Sequence, residues 1–152
     1  MQNTKLKMLL ENAMLATIYA LLTVVISPLS YGGIQMRLSE ILLFCAFYRS
    51  HDIPGLVLGC LIANLFSPMG LPDVIFGSFA TLVACLGMWK LHNLYLAAVA
   101  ASLVNGLIVG LELHWILGLP FWISLAEVAI GEGIVLWIGA MIFQKIGQRL
   151  FR

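Results

Sequence analysis

Residues 93–146 read NLYLAAVAASLVNGLIVGLELHWILGLPFWISLAEVAIGEGIVLWIGAMIFQKI, and this stretch decides the fold class. Two apolar runs meet here at the turn sequence Gly118-Leu119-Pro120. Each run is longer than the roughly 20 residues that a helix needs to cross a bilayer, so the stretch predicts two antiparallel membrane helices. Three glutamates, Glu112, Glu127 and Glu132, interrupt the apolar background. Because an ionised carboxylate in hydrocarbon is expensive, we expect these glutamates to serve a function.

The composition extends this prediction to the whole chain. Of its 152 residues, 62% are hydrophobic and 10% are charged, and the mean hydropathy is +1.03. A soluble domain is nearer a quarter charged. Breaker sequences divide the chain into apolar segments at roughly residues 8–29, 36–48, 53–66, 73–89, 93–117 and 121–146. We therefore predict an all-α integral membrane protein with six transmembrane helices in a single domain, residues 1–152.

The positive charges predict the orientation of this protein in the cell membrane. Six spans place both termini on the same side, and seven of the eight Lys and Arg residues then lie on that side. They are Lys5, Lys7, Arg49, Lys90, Lys145, Arg149 and Arg152, and Arg37 lies on the other side. The positive-inside rule therefore predicts cytoplasmic N- and C-termini. A net charge of +1 gives no reason to expect binding to nucleic acid.

The polar residues within the last two segments fall at matching depths. At about 1.5 Å per residue, Glu112 and Glu127 lie about 9 and 10 Å below the outer helix ends, and Asn105 and Glu132 about 20 and 18 Å. Four more polar groups lie near the outer ends of other segments, namely Arg37, Glu40, Asn64 and Asp73. The inner halves of the segments are almost purely apolar. This asymmetry predicts a pocket that opens to the outside above an apolar floor, not a continuous pore.

The four polar residues near the outer ends of these segments also have ordinary structural interpretations. Arg37 and Glu40 are three residues apart and would form an intrahelical ion pair. Asp73 would be the N-cap of its helix. Asn64 would hold two helices together through a hydrogen bond. The sequence is compatible both with these structural roles and with a role of the same residues in the binding site.

The residues around the outer turn have alternatives of the same kind. Trp115 and Trp122 flank this turn, as expected of an aromatic belt at the membrane interface. His114 would be a solvated or packed histidine. Both Trp115 and His114 are nevertheless candidates for substrate binding, because they lie close to Glu112 at the predicted pocket mouth.

Small residues mark surfaces where helices can approach closely. Ala13, Ala16 and Ala20 form a stripe on the first segment, close to its cytoplasmic half. Such a stripe suits either a partner helix or another helix of this chain.

The chemistry-bearing motifs of common enzyme classes are missing. The sequence has no nucleotide-binding glycine loop, HExxH, GxSxG or paired-cysteine motif. No catalytic activity, cofactor or metal is therefore predicted, and uphill transport would need an ion gradient or a separate ATPase. Two competing hypotheses are an ion-coupled carrier that uses Glu132 and an intramembrane hydrolase that uses Glu112 and Glu127.

Six short motifs resemble those of a known family. They are MRLSEIL (36–42), PGLVLGCLIAN (54–64), DVIFGSFATL (73–82), NGLIVGLEL (105–113), GLPFW (118–122) and AIGE (129–132). In this order they resemble the QueT family, the substrate-binding S components of energy-coupling-factor (ECF) transporters for queuosine precursors. The resemblance spans nearly the whole chain.

The resemblance implies a six-helix S component that captures a deazaguanine base outside the cell. It also implies association with a transmembrane coupling protein and two ABC ATPases, which the alanine-rich first helix would meet. The family pattern maps onto Arg37, Ser39, Glu40, Asn64, Asp73, Asn105, Glu112 and Glu132. It does not single out His114 or Glu127 as firmly.

The chemistry of a deazaguanine suits these residue types. Its ring N–H and exocyclic amine lie side by side, so a single carboxylate can accept both hydrogen bonds. The ammonium of an aminomethyl precursor would require a second carboxylate, and the flat ring suits an aromatic side chain such as Trp115 or Trp122. A pocket rich in acids and poor in cations therefore predicts a polar base in preference to an anionic vitamin.

Overall fold

The computed structural model describes residues 2–32 and 34–151. Arg152, one of the cations used to predict the orientation, lies outside these described residues, as do Met1 and Gly33. The described residues form seven α-helices, two 3₁₀ helices and no β-strand, in agreement with the predicted all-α class. The elements are α1 (Gln2–Val25), α2 (Ser27–Ser30), a 3₁₀ helix (Leu38–Leu43), α3 (Phe44–Tyr48), a second 3₁₀ helix (Ser50–Asp52), α4 (Ile53–Asn64), α5 (Leu71–Lys90), α6 (Leu94–Leu117) and α7 (Phe121–Leu150).

Four of these helices, α1, α5, α6 and α7, are long and apolar enough to cross a membrane. Local sequence explains where they begin and end. The Asn93 side chain caps α6, because its oxygen accepts hydrogen bonds from the backbone N–H groups of Tyr95 and Leu96 at 2.9 and 3.1 Å. At the other end of α6, Gly118 has φ = 68°, a left-handed conformation that favours glycine and ends the helix.

The second and third predicted segments are short in the structure. Arg37 is extended (φ −83°, ψ 100°), and regular winding begins only at Leu38 as the 3₁₀ helix that leads into α3. A 3₁₀ helix rises about 2.0 Å per residue against about 1.5 Å for an α-helix, so this segment reaches further for its length. The 12 residues of α4 span about 18 Å. Arg37 and Glu40 thus lie on an irregular segment, not on a regular helix.

Glycines allow α6 and α7 to pack closely in antiparallel directions. A Cβ atom on Gly106 would lie 2.8 Å from the Cβ of Ala129, and one on Gly110 would lie 3.0 Å from the Cα of Leu125. Because either methyl group would clash, glycine is needed at both positions for this close approach.

The helices α1 and α4 pack in parallel. The Asn12 amide donates to the carbonyl oxygen of His51 at 2.8 Å, and its Oδ1 accepts from the Gly55 N–H at 2.6 Å. One turn further along, Ala16 packs against Gly59. This contact orders α1 against α4 and brings the middle of α1 towards the polar interior.

The alanine stripe of α1 is divided between two surfaces. Ala16 is 3% exposed because it faces Gly59, whereas Ala13 is exposed and Ala20 is half-buried. Packing within the chain therefore accounts for Ala16, and Ala13 remains available at the surface.

Replacing Gly59 with alanine is expected to force α1 and α4 apart. The added Cβ would lie 2.8 Å from the Ala16 carbonyl oxygen and 2.8 Å from the Tyr19 Cβ. Overpacking of this kind lowers the free energy of unfolding by about 1–3 kcal/mol. Gly87→Ala is the matched control, since nothing lies within 4 Å of a Cβ there and helix propensity favours alanine by about 1 kcal/mol. Thermal unfolding in detergent measures both variants, and an unchanged midpoint for Gly59→Ala would contradict this packing.

An apolar core fills the end of the bundle that holds the N-terminus of α1. It includes Phe44, Leu56, Met88 and Ala140, each 0% exposed. The opposite end, called the distal end below, holds the loops 65–70 and 118–120. Most of the buried polar side chains predicted from the sequence lie between this core and the distal end, so the core closes the bundle beneath them.

Candidate functional site

A cluster of buried polar side chains joins five parts of the chain. Its members come from the 36–43 segment and from α4, α5, α6 and α7, and all are at most 4% exposed. They are Arg37, Ser39, Glu40, Asn64, Asp73, Asn105, Glu112 and Glu132. These eight residues were predicted from separate parts of the sequence, and the structure buries all of them. We call them the polar cluster.

Glu40 is the carboxylate of the cluster whose hydrogen bonds are satisfied within the protein. The hydroxyl of Tyr19 donates to Glu40 Oε1, and the Asn105 amide donates to Oε2 at 3.3 Å. Nearby, the hydroxyls of Thr23 and Ser39 are 2.6 Å apart. Because its two oxygens are occupied in this way, Glu40 helps to hold α1 and α6 together.

Tyr19 was not predicted from the sequence. It is 0% exposed and is held by the contact between α1 and α4. Ala16, Tyr19 and Thr23 share one face of α1 at spacings of three and four residues. The two polar side chains of this face, Tyr19 and Thr23, were the available sign that it turns towards the polar interior. The surrounding apolar residues made this sign hard to recognise in the sequence.

Arg37 is buried without a close carboxylate. Its Nε donates to the Ser30 carbonyl oxygen at 3.4 Å, its Nη1 lies 4.0 Å from the sulfur of Cys60, and its guanidinium lies 5.6 Å from the centre of the Tyr31 ring. Among the described residues no carboxylate lies within 4 Å of it, so the intrahelical Arg37–Glu40 ion pair is not formed. Its Nη2 has no hydrogen-bond partner within the described chain.

Asn64 and Asp73 connect α4 to α5. The Asn64 amide donates to the backbone oxygen of Asp73 at 2.9 Å, and the Asp73 side chain accepts from the hydroxyl of Ser67. The N-cap of α5 is Gly70, so the alternative interpretation of Asp73 as the N-cap is wrong. Asn64 does join two helices, yet Asn64 Oδ1 and Asp73 Oδ1 are both buried without a partner in the described residues.

Glu112 and Glu132 are the least satisfied carboxylates of the cluster. Glu112 is 0% exposed and Glu132 is 2% exposed. Neither oxygen of Glu112 has a hydrogen-bond partner among the described residues, and Oε2 of Glu132 also lacks one. Buried polar groups are normally paired, so these atoms point to a group that the chain itself does not supply.

Acidic side chains outnumber basic ones in the cluster. Four carboxyl groups, from Glu40, Asp73, Glu112 and Glu132, accompany the single guanidinium of Arg37. The cluster therefore has more hydrogen-bond acceptors than donors, an arrangement that suits a ligand rich in N–H groups.

A cavity of about 260 Å³ lies beside this cluster at the distal end. Its walls include Tyr31, Gln35, Met69, Asp73 and Glu127. A typical ligand pocket has a volume of about 300–1,000 Å³, so this cavity suits a small ligand such as a single bicyclic base.

The loop after α2 supplies two polar cavity residues that were not predicted, Tyr31 and Gln35. Gln35 is 5% exposed, and the Tyr31 hydroxyl donates to the Ala63 carbonyl oxygen at 2.5 Å. Burial raises the pKa of the Tyr31 hydroxyl, which keeps it a neutral donor. Loop residues carry no periodic signal, so their position depended on how the loop folds over the bundle.

The outer-turn candidates lie away from the polar cluster. Trp115 is 65% exposed and packs edge-on against Phe76, and Trp122 is 76% exposed. His114 is exposed, with its Nδ1 2.7 Å from the Leu119 carbonyl oxygen. These positions agree with the aromatic-belt and solvated-histidine interpretations.

Comparison with known proteins agrees with this arrangement. The model of the QueT transporter family matches residues 9–148. The protein named Queuosine precursor transporter QueT from Lactococcus lactis subsp. cremoris (strain MG1363) is 32% identical over 166 aligned positions, which cover 99% of this chain and 98% of that protein. No solved structure gives a significant match. The chain therefore belongs to the QueT transporter family.

Proposed function

We propose that this chain is the substrate-binding S component of an ECF-type importer for a queuosine precursor. The observation that carries the proposal is the set of buried, unpartnered polar atoms in the polar cluster, above all both oxygens of Glu112. A ligand that donates several hydrogen bonds would satisfy them. The proposed role is binding and release of a solute, not catalysis.

The proposed ligand is a deazaguanine base whose guanine-like edge faces Glu112. The ring N–H and the exocyclic amine would both donate to this carboxylate, a charge-assisted pair of hydrogen bonds. Glu132, whose Oε2 is unpartnered, would accept from a further donor such as the ammonium of an aminomethyl precursor. Arg37 Nη2 remains for the carbonyl oxygen, and Asn64 Oδ1 remains for a further N–H of the base, such as the second hydrogen of the exocyclic amine.

We also propose that all six segments cross the membrane as a single domain with both termini in the cytoplasm. The alternation of helix directions supports this, since α4 runs parallel to α1 and α7 runs antiparallel to α6. Among the described residues, six of the seven cations predicted to be cytoplasmic lie at the end that holds the N-terminus of α1. The cavity would then open to the outside and the apolar core would block the inner half.

The proposed partners are a transmembrane coupling protein and two ABC ATPases. The exposed face of α1 supports a helix-docking role, because Ala13 lies there in a shallow apolar groove with Leu10, Met14 and Thr17. Ala20 lines the adjoining groove, whereas Ala16 is occupied by Gly59. Substrate release would require this partner, since no ATP-binding motif occurs in the sequence.

Direct binding tests the proposed function. Purified protein in detergent is titrated with aminomethyl-deazaguanine and, separately, with adenine and an anionic vitamin, with tryptophan fluorescence as the signal. We expect a Kd at or below about 1 μM for the deazaguanine, equivalent to about −8 kcal/mol, and no saturation by the others. Binding of another vitamin in preference to the deazaguanine would disprove the substrate. Robust uptake by vesicles that hold this chain alone would disprove the dependence on an ATPase and identify an ion-coupled carrier.

A further inference from the structure

Cys60, on α4, differs from the other two cysteines in its surroundings. Cys45 and Cys85 pack among the apolar side chains of the core. Cys60 is 0% exposed, and its sulfur approaches four polar groups. These are Thr81 Oγ1 at 3.2 Å, Asn64 Nδ2 at 3.3 Å, the Gly77 carbonyl oxygen at 3.7 Å and Arg37 Nη1 at 4.0 Å. A thiol can donate one weak hydrogen bond and accept others, so this position uses both capacities.

The sulfur of Cys60 takes part in orienting the Asn64 amide. One Nδ2 hydrogen is directed to the Asp73 carbonyl oxygen at 2.9 Å, and the other to the sulfur at 3.3 Å. Both donors of the amide are therefore occupied. Its Oδ1 is left buried and unpartnered, and it can act only as a hydrogen-bond acceptor towards a ligand.

The sulfur of Cys60 also approaches the guanidinium of Arg37, on the side of its Nη1 atom. Nε donates to Ser30 and Nη1 faces Cys60, which leaves Nη2 as the buried group without a partner in the described chain. A Cβ on Gly77 would lie 2.7 Å from Asn64 Nδ2 and 3.6 Å from Arg37 Nη1, so the two side chains converge at this point. Cys60 thus contacts both the amide of Asn64 and the guanidinium of Arg37.

We propose that Cys60 is a positioning residue that orients two binding groups, the acceptor Asn64 Oδ1 and the donor Arg37 Nη2. Arg37 Nη2 would donate to the carbonyl oxygen of the base, and Asn64 Oδ1 would accept from an N–H that Glu112 does not use. The inference rests on the proposed function, because it assigns groups of the same base to these two residues. It adds a selectivity for bases with a lactam over those with a 6-amino group, since the amino base would bring a donor towards the Arg37 donor.

Three variants test this inference by equilibrium binding. Cys60→Val keeps the approximate volume but removes the polar sulfur, and we expect about a tenfold loss of affinity for aminomethyl-deazaguanine, the effect of one hydrogen bond. Cys60→Ser retains a hydrogen-bonding group and should stay within about threefold of the wild type. Cys45→Val, in the apolar core, is the matched control and should leave affinity unchanged. The preference for the lactam base over its 6-amino analogue should fall in Cys60→Val alone.

A measurement on the ligand-free protein separates this inference from the proposed function. NMR of protein with isotope-labelled asparagine reports hydrogen exchange of the Asn64 side-chain amide. We expect faster exchange in Cys60→Val than in the wild type or Cys45→Val. If the wild type binds no deazaguanine, the proposed function fails, while the exchange rates still decide whether Cys60 holds Asn64. Unchanged exchange in Cys60→Val, or wild-type affinity and selectivity in that variant, would overturn the inference.

Discussion

Glu112→Gln is expected to weaken the binding of aminomethyl-deazaguanine by about 100-fold. Both oxygens of Glu112 are buried and unpartnered, so in the proposed complex they accept two hydrogen bonds from the guanine-like edge. Hydrogen bonds to a charged group contribute about 1.5–3 kcal/mol, and a factor of ten in affinity corresponds to about 1.4 kcal/mol. Glutamine has nearly the same shape, but its amide would direct N–H groups at the N–H groups of the base. Isothermal titration of the purified variant measures the loss.

Glu127→Gln provides the matched control for Glu112→Gln. Glu127 is half-buried and lines the distal cavity beside the polar cluster, so its carboxylate remains accessible to water. We expect its affinity to stay within about threefold of the wild type, because an exposed ionic interaction contributes only about 0–1 kcal/mol. Wild-type affinity in Glu112→Gln would remove Glu112 from the site. A loss confined to Glu127→Gln would move the ligand outward to the cavity wall.

Arg37→Met is expected to lower the free energy of unfolding by about 1–3 kcal/mol. Arg37 is 3% exposed and is the one guanidinium of the polar cluster, whose four carboxyl groups lie more than 4 Å from it. Methionine fills similar space but removes the donor to the Ser30 carbonyl oxygen and the positive charge nearest to these carboxyl groups, so buried acceptors lose a donor. The measurement is reversible unfolding in mixed detergent micelles, followed by tryptophan fluorescence.

A second substitution distinguishes lost charge balance from lost packing in Arg37→Met. Glu132→Gln removes one of the carboxylates near Arg37, so the double variant should recover part of the stability. Lys90→Met is the control for removal of a positive charge, since Lys90 is exposed and should change stability by no more than about 0.5 kcal/mol. If the double variant is no more stable than Arg37→Met, charge balance is not the reason for the loss.

Depth along the membrane could be estimated from the sequence, because an α-helix has a constant rise per residue. This estimate paired Glu112 with Glu127 and Asn105 with Glu132. The structure buries Asn105, Glu112 and Glu132 in the polar cluster, whereas Glu127 is half-buried on the cavity wall. Rotation about the helix axis could not be estimated in the same way. Glu112 and Trp115 are three residues apart on α6, yet Glu112 is 0% exposed and Trp115 is 65% exposed. Where nearly every residue is apolar, hydrophobic periodicity does not mark which face is buried.

The partners of each polar group depended on contacts between distant parts of the chain. The sequence suggested Arg37 as the partner of Glu40, because they are three residues apart. In the structure Glu40 is bonded to Tyr19 and Asn105 instead, and Arg37 faces Ser30 and Cys60. The extended conformation at Arg37 and the 3₁₀ winding after it turn these two side chains away from the geometry of a regular helix.

By itself, the sequence determined the membrane class, the all-α fold and the family, because hydropathy, segment length and short motifs are local properties. It also predicted which polar residues lie within the apolar segments. Only the tertiary structure decided that Arg37, Asn64, Asp73, Glu112 and Glu132 retain unpartnered atoms in one buried cluster. Hydrogen-bond satisfaction is a property of three-dimensional neighbours: the approach of α1 at Gly59 brings Tyr19 to Glu40, and the approach of α4 to α5 brings Cys60 between Asn64 and Arg37.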